Sequence, residues 1–239
     1  MRVRGPASVS SDRYGQSARL ARLGACAALL ACTLTPAAAA ARTVGGCKIR
    51  PHANCAHKQL IQARLKGANL AFANVSFTKF IQASMQHVDL HGATARGADF
   101  GQAHLERANF TGANLAGAEL TQAYLQGANL KGATLTHTSL TQAYLSGANF
   151  EGDDLTTADL TQVTITGASF KRANLSGLEL FGNYAGTDYE GANLSGAQLA
   201  GDFKDANFKG ANFAGAKFCQ ATIEGVLHNE RCPTSSTGL

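Results

Sequence analysis

An apolar side chain recurs at every fifth residue through most of this 239-residue chain. It falls on each multiple of five from Leu60 to Leu180, with the small Ala95 as the exception, and after two slips of one position it continues to Ile223. An α-helix repeats every 3.6 residues and a flat strand every two, so neither keeps this stripe on one face. A five-residue unit is also too small to bury its own apolar residue, so successive units must stack into one continuous core.

Written in fives, the middle of the chain reads RGADF, GQAHL, ERANF, TGANL and AGAEL. This pattern resembles the pentapeptide-repeat family, whose unit is A-(N/D)-L-x-x, and the resemblance extends over residues 56–223. It implies an all-β fold, a right-handed quadrilateral β-helix with one unit on each side and about 20 residues per coil. The central apolar residue and the alanine two positions before it would point inward. The 34 units of this stretch then give about 8–9 coils and a column about 40 Å long.

Glutamine recurs with a spacing of 20, which matches the coil length that the resemblance implies. Stacked coils would place these amides in a ladder along one edge of the column, bonded up and down at about 4.8 Å. Tyrosines two residues further on would stack on the same side. The candidate binding face therefore comprises Gln82, Gln102, Gln122, Gln142, Gln162, Tyr124 and Tyr144. A similar row on the next side contains Asn69, Asp89, Asn109, Asn129 and Asn149.

Two units are shortened to four residues, FGNY at 181–184 and AGDF at 200–203. Both fall on the glutamine side in consecutive coils, which indicates a local reshaping of that wall. The large residues at central positions nearby, Tyr184 and Tyr189, favour the same interpretation. Asp153 is a separate irregularity, because it occupies the inward slot that alanine fills in most units. A carboxylate buried there needs partners, so we expect a local distortion or a coordinated water, with bound calcium as the alternative.

Residues 1–41 have the features of a signal peptide. Five arginines precede an apolar run over residues 23–34, and a tract of small residues follows. This order of a positive region, a short apolar region and small residues predicts export, with cleavage after Ala39 or Ala41. The predicted localisation is therefore secreted, periplasmic or in the cell envelope. The stretch LLAC that ends at Cys32 resembles a bacterial lipobox, so a lipoprotein anchored through Cys32 is the alternative.

Four cysteines lie beyond the signal peptide, two before the repeats and two at their far end. A disulfide requires Cα atoms within about 7 Å, and the stacking estimate separates the ends of the column by about 40 Å. The expected disulfides are therefore Cys47–Cys55 and Cys219–Cys232. An even number of cysteines at these spacings suits an oxidising compartment, with free thiols in a cytosolic protein as the alternative.

The open ends of a solenoid expose core and unpaired strand edges, so each end needs a cap. We interpret residues 42–55 as an N-terminal cap and residues 224–239 as a C-terminal cap or tail, each pinned by its disulfide. The segment GCKIRPHANC is also similar to the opening of exported pentapeptide-repeat proteins. A zinc site formed by the first two cysteines with His52 and His57 is an alternative, although it lacks a CxxC motif.

The charge of the exported part gives no support for nucleic-acid binding. Residues 1–41 account for +4 of the formal net charge of +5, and residues 42–239 for +1. The chain contains no run of about 18 or more apolar residues, so we predict no integral membrane span. The sequence has no nucleophile elbow, P-loop or HExxH motif, so we predict neither an enzyme nor a cofactor. His87, Asp89 and His91 lie close together but at outward or corner positions, which favours a solvated surface over a metal site.

These features predict a non-catalytic exported repeat scaffold, either a protein-interaction or a structural module. Its partner would be an unknown protein or a component of the cell envelope, and the scaffold itself a monomer or weak oligomer. One alternative comes from the resemblance, because some pentapeptide proteins mimic DNA and bind type II topoisomerases in the cytoplasm; the near-neutral charge weighs against it. The other alternative is binding to an extended polysaccharide or an ice surface, for which Thr121, Thr141 and Thr161 form a file of hydroxyls.

Overall fold

A computed structural model describes residues 42–223 in full and the backbone of residues 226–229. The chain winds as a right-handed, four-sided column in which most sides consist of one bridging residue between two turns. Parallel bridges join such residues at a spacing of 20 in the regular coils, as in Asn54–Asn74 and Asn74–Thr94, and of 19 where a coil includes a short unit, as in Ser169–Asp188. A coil therefore contains four five-residue units, which confirms the predicted quadrilateral β-helix. No helix in the described ranges is long and apolar enough to cross a membrane.

Longer strands occur near the two ends of the described chain. Before the first coil, an antiparallel hairpin consists of β1 (Thr43–Val44) and β2 (Cys47–Lys48). Near the far end, three parallel neighbours in one sheet are β3 (Glu179–Asn183), β4 (Gln198–Phe203) and β5 (Lys217–Ile223). The last strand, β6 (Val226–Asn229), pairs antiparallel with β5, so it covers the outer edge of this sheet.

The interior is a stack of the central apolar residues and the alanines two positions before them. Phe100 and Phe110 are fully buried, and so is Ala103 between them. Like residues lie above one another, because the ladder keeps each slot in register: the rings of Phe80 and Phe100 are parallel, with centroids 5.0 Å apart. Burying one such side chain contributes about 1.5–3 kcal/mol. The five-residue period therefore specifies a continuous core that no single unit could form.

The two four-residue units remove one corner of the column. In a regular coil a left-handed residue such as Gln162, with φ of 56°, forms the corner before this side. Strands β3 and β4 instead run straight through the corner, with Gly182 opposite Gly201. In β5 the unit again has five residues. The additional residue shifts the pairing register between β4 and β5, and Gln220 again has a left-handed φ of 51°. A short unit is thus a regular unit without its corner residue, and this reshapes the wall into a sheet.

Glycines in the inward slot of the short units leave room for large rings. Gly182 and Gly201 stand where alanine stands in most units, two residues before Tyr184 and Phe203. The two rings are fully buried and parallel, with centroids 5.0 Å apart. A Cβ on Gly201, whose φ is +114°, would overlap the carbonyl oxygen of Gly182. The backbones of β3 and β4 therefore approach each other in a way that only glycine permits here.

We expect Gly201→Ala to lower the free energy of unfolding by about 3 kcal/mol, because the added Cβ strains the backbone and pushes β4 away from β3. Gly196→Ala is the matched control, since Gly196 also has a left-handed φ, +68°, but open space around its Cβ position. It should cost about 1–2 kcal/mol. Urea unfolding of both variants makes the comparison, and equal losses would contradict the close approach of the two strands.

Asp153 disturbs the contact between two coils. Its side chain is buried in an alanine slot, where Oδ1 accepts a hydrogen bond of 2.6 Å from the N–H of Gly132. At the same corner one coil earlier, Gly112 donates instead to the main-chain carbonyl of Lys131. Burial raises the pKa of Asp153 to about 7, although hydrogen bonds from the N–H groups of Gly132 and Ala133 act in the opposite direction. The predicted distortion at this position is therefore a side chain that replaces a ladder bond.

The raised pKa of Asp153 makes the stability of the column depend on pH. Below about pH 3 the carboxyl is mostly neutral in both the folded and the unfolded chain, so it contributes little to the pH dependence of stability there. Between the usual value of 3.8 and the folded value of about 7, only the unfolded chain ionises, and stability falls as pH rises. Relative to Asp153→Asn, the free energy of unfolding should fall by about 4 kcal/mol between pH 4 and pH 8. Parallel curves for the two proteins in urea titrations at these pH values would refute the assignment.

Candidate binding face

Six glutamines form a continuous amide ladder along one corner of the column. Each amide Nε2 donates to the Oε1 of the glutamine one coil later, at distances of 2.7–3.0 Å. All six have a left-handed φ between 54° and 58°, a conformation that side-chain-bearing residues rarely adopt. The ladder offsets this backbone cost, because each inner amide gains two hydrogen bonds. The six residues are Gln62, Gln82, Gln102, Gln122, Gln142 and Gln162.

Three aromatic rings stack on the flat side that follows this corner. The ring centroids of His104 and Tyr124 are 4.7 Å apart, those of Tyr124 and Tyr144 are 5.0 Å apart, and the planes are nearly parallel. Backbone bridges hold the three residues in line, one per coil. The next residue in the row, Thr164, is too small to cover a ring, and Tyr144 is 39% exposed. The stack therefore ends in an accessible phenol.

A shallow groove of about 510 Å³ runs between the ladder and the ring stack. We call its surroundings the Gln–Tyr face, which comprises the six ladder glutamines with His104, Tyr124 and Tyr144. A primary amide has two N–H groups and two acceptor positions, so the inner glutamines keep one donor and one acceptor position beyond their ladder bonds. The phenol hydroxyls and ring edges add further contacts. The groove can therefore hold a ligand through hydrogen bonds and ring contacts at a regular spacing.

The predicted file of threonine hydroxyls is linked by residues of the neighbouring side. The hydroxyls of Thr121 and Ser139 lie 3.3 Å apart, and those of Ser139 and Thr141 lie 3.1 Å apart. Thr141 in turn donates to Asp159 at 2.9 Å. Burial tends to raise the pKa of Asp159, but hydrogen bonds from Thr161 and Thr141 lower it below its usual value. These hydroxyls bond one another, which leaves them fewer free positions for an extended external surface.

The group around Asp89 is a hydrogen-bonded cluster on the side of the column. Its Oδ1 lies 2.8 Å from Nδ1 of His91 and accepts a hydrogen bond from Asn109. Burial tends to raise the pKa of Asp89, but these hydrogen bonds and the nearby imidazole lower it. His87 lies at a corner with a φ of 57°. Among residues 42–223 no group of three or more potential metal ligands comes together.

Of the two predicted disulfides, the structure describes both cysteines of the N-terminal one and a single cysteine of the other. Cys47 and Cys55 are bonded, fully buried and separated by 5.0 Å between Cα atoms. Cys55 also occupies the central slot of a unit whose Asn54 already bridges to the next coil, so this disulfide joins the hairpin to the first coil. Cys219 is disulfide-bonded as well. Its predicted partner Cys232 lies outside the described residues, as do Cys32 and the predicted signal peptide.

Two arrangements were not anticipated from the sequence. His104 extends the tyrosine stack, and a spacing of 20 from Tyr124 could have identified it. Along another edge, charges alternate from coil to coil: Lys131 pairs with Glu151 at 2.9 Å, and Lys171 pairs with Glu190 at 3.2 Å. Alternating lysine and glutamate at the coil spacing was the available signal. Exposed ion pairs of this kind contribute little individually, about 0–1 kcal/mol.

The architecture and the ladders define a repeat solenoid, and the sequence shows which kind. The family profile described as pentapeptide repeats matches this chain in eight copies, and the matched stretches together cover residues 52–177 and 190–225. The chain therefore belongs to the pentapeptide repeat family. No curated protein matches the chain.

Solved structures of other pentapeptide repeat proteins are similar in part. HetL, involved in heterocyst differentiation regulation in the cyanobacterium Nostoc sp., is 27% identical over 74% of this chain and 92% of its own, with a TM-score of 0.35. QnrB1, a plasmid-mediated fluoroquinolone resistance protein, is 17% identical over 70% and 91%, with a TM-score of 0.38. A protein of the Arabidopsis thaliana thylakoid lumen is 27% identical over 56% and 64%, with a TM-score of 0.23. Family membership rests on the repeat match.

The amide ladder should contribute measurably to stability. Gln122 bonds to the glutamine before it and to the one after it, so Gln122→Ala removes two amide hydrogen bonds. Gln220→Ala is the matched control, because Gln220 has a similar φ of 51° but is separated from the ladder by the two short units. We expect Gln122→Ala to lower the free energy of unfolding by about 1 kcal/mol more than the control. Thermal unfolding followed by circular dichroism tests this, and identical shifts would mean that the ladder adds nothing to stability.

Proposed function

We propose that this protein is a non-catalytic interaction scaffold that works outside the cytoplasm and binds its partner through the Gln–Tyr face. The observation that carries the proposal is the groove between the amide ladder and the ring stack. There, unused amide donors and acceptors recur once per coil beside an aromatic row. The partner would be an elongated protein or cell-envelope component, because the recognition groups follow one line along the column.

Rigidity supports this assignment. The side chains of the Gln–Tyr face are already held by one another, through amide bonds of 2.7–3.0 Å and parallel rings. Binding therefore costs little side-chain entropy, which favours affinity from a preorganised surface. The groups in the groove are amides, phenols and one imidazole, which are suited to hydrogen bonding with a ligand. The strongly shifted carboxyl, Asp153, is enclosed in the wall, away from this groove.

The predicted compartment is supported by the cysteines and by the N-terminal sequence. The disulfide between Cys47 and Cys55 and the bonded Cys219 suit an oxidising environment. Residues 1–41 have the charge and apolar pattern of an export signal. These two lines of support are independent, because the first depends on thiol chemistry and the second on targeting.

A paired substitution tests the binding face. In native cells, chemical cross-linking followed by mass spectrometry should place the partner within reach of the Gln–Tyr face. Tyr124→Ser/Tyr144→Ser should reduce these cross-links at least about tenfold, because two ring contacts are lost from the interface. Asn114→Ser/Thr134→Ser changes the equivalent positions of the opposite side and should leave them intact. Cross-links that map elsewhere, or that survive the tyrosine substitutions, would contradict the proposed face.

The proposed compartment is tested by the intact mass of the protein from fractionated cells, measured without reductant. We expect recovery outside the cytoplasm, loss of residues up to Ala39 or Ala41, and a deficit of four hydrogens from two disulfides. An added diacylglycerol on Cys32 would place the same scaffold on a membrane instead. Reduced, uncleaved protein in the cytoplasm would refute export, and a DNA gyrase supercoiling assay would then test the DNA-mimic alternative.

A further inference from the structure

The N-terminal coils carry a charge opposite to that of the rest of the column. Residues 42–98 contain eight lysines and arginines against one acid, a net charge of +7. Residues 99–223 contain seven against twelve acids, a net charge of −5. A solenoid keeps sequence order along its axis, so the positive charge is concentrated at one end. The eight basic residues are Arg42, Lys48, Arg50, Lys58, Arg64, Lys66, Lys79 and Arg96.

These cations are mostly available to an external partner. Within the described ranges, Lys79 alone among the eight forms an ion pair, with Asp99 at 3.0 Å. Seven of the eight are exposed, and Lys58 is half-buried. The near-neutral charge of residues 42–239 therefore conceals a strongly divided surface, whose positive end has little internal counter-charge to neutralise it.

Exposed apolar side chains occur in the same coils. Among the described residues, four large hydrophobic side chains are well exposed, and three of them lie here: Ile61 (50%), Phe72 (52%) and Phe77 (50%). The fourth is Tyr144 of the Gln–Tyr face. Large apolar groups exposed together mark interaction sites in soluble proteins. The basic end of the column therefore combines exposed apolar groups with a high density of cations.

The two phenylalanines stand where the fold would favour glycine. Phe72 and Phe77 form adjacent corners with a left-handed φ of 56° each, a strained conformation for a bulky residue. One coil later the same two corners are Gly92 and Gly97. Glycine adopts this backbone without strain, so the corner conformation by itself gives no reason for phenylalanine at either corner. Strain of this kind, held in place by its surroundings, indicates a function for the side chain.

Both rings are held in a defined position. Phe72 stacks on His52 and Phe77 on His57, each with centroids 5.2 Å apart. On its other side, the ring of Phe77 lies so close to Gly97 that a Cβ there would be 2.6 Å from a ring carbon. Phe77 is thus fixed between an imidazole and a glycine, and Phe72 has in addition the ring of His91 against it, with centroids 4.6 Å apart. About half of each phenylalanine remains exposed.

The two rings border one flat side of the column within its most basic coils. The short segment between the two corners, with Asn74 exposed at its middle, forms this side. Arg96 directly precedes the corner at Gly97, and its carbonyl accepts the N–H of Phe77 at 2.9 Å. We call the surface bordered by these corners the Phe72–Phe77 face, and it comprises Phe72, Phe77 and Arg96.

We propose that the Phe72–Phe77 face docks the column onto an anionic lipid surface. Exposed rings enter the boundary between headgroups and acyl chains, and neighbouring cations attract anionic headgroups, so this surface has both components of interfacial binding. A sulfated polysaccharide would engage the cations and leave the rings unused, which favours a bilayer over such a polyanion. The negative charge of residues 99–223 would be repelled by the same surface, so the basic end should face the membrane. The Gln–Tyr face uses different residues and is not required for this docking.

Vesicle flotation with the full chain tests the proposal. The protein should float with vesicles of phosphatidylglycerol and phosphatidylcholine but not with phosphatidylcholine alone, and binding should weaken as salt is raised. Phe72→Gly/Phe77→Gly should lower the partition coefficient at least about tenfold, because two ring insertions are lost. The same variant should melt close to the wild type, because the relief of backbone strain by glycine offsets the lost ring contacts with the neighbouring histidines. Arg96→Gln should lower binding about fivefold.

Two control variants test whether binding to vesicles depends on this face. Lys209→Gln/Lys217→Gln removes cations from the far end, and Tyr124→Ser/Tyr144→Ser alters the Gln–Tyr face; both should bind vesicles like the wild type. All proteins compared carry residues 1–41, so any contribution of that segment is common to them. Undiminished binding by the double phenylalanine variant, or equal flotation with neutral vesicles, would overturn the proposal. Capture by dextran sulfate without vesicle binding would overturn it in favour of a soluble polyanion.

Discussion

The parallel backbone ladder that joins each coil to the next, at a spacing of 20 or 19 residues, determines the structure of residues 52–223. It places every side chain directly above the residue in the same slot of the previous coil. Rows of identical residues therefore become contacts: glutamine bonds to glutamine, tyrosine stacks on tyrosine, and Phe80 stacks on Phe100. Each contact is small, but it repeats with every coil, so the stability of a solenoid accumulates along its axis.

The corners are the positions at which the coils differ most in residue type. Every regular coil needs a left-handed residue at each turn, and glycine meets that need with no side-chain contact. Where another residue stands at a corner, its neighbours compensate: amides bond in the glutamine ladder, and Phe77 packs on His57. Where the corner residue is missing, the chain straightens into β3 and β4. Corners occupied by glycine thus differ from corners whose side chains contact the neighbouring coils.

Two surfaces follow from these compensated corners, and they differ in chemistry. The Gln–Tyr face is polar and aromatic and extends along the axis for several coils. The Phe72–Phe77 face is compact, apolar and cationic, and it lies in the most basic coils. A rigid column with recognition groups at different heights can hold one partner at a set distance from another or from a surface. The predicted export and the disulfide of the N-terminal hairpin are consistent with such a role at the cell envelope.

Much of this could be read from the sequence because it depends on spacing alone. The period of five identified the core slots, the spacing of 20 identified the coil and the glutamine row, and two missing residues identified the reshaped wall. Contacts between coils could not be read in this way. The Asp153 carboxylate replaces a ladder bond to Gly132, and the Phe77 ring rests on Gly97. Such contacts depend on where a side chain points and on what the next coil leaves open. The linear order of residues therefore determined the column and its rows, and only the stacking of coils decided which side chains are satisfied within the protein and which remain available to a partner.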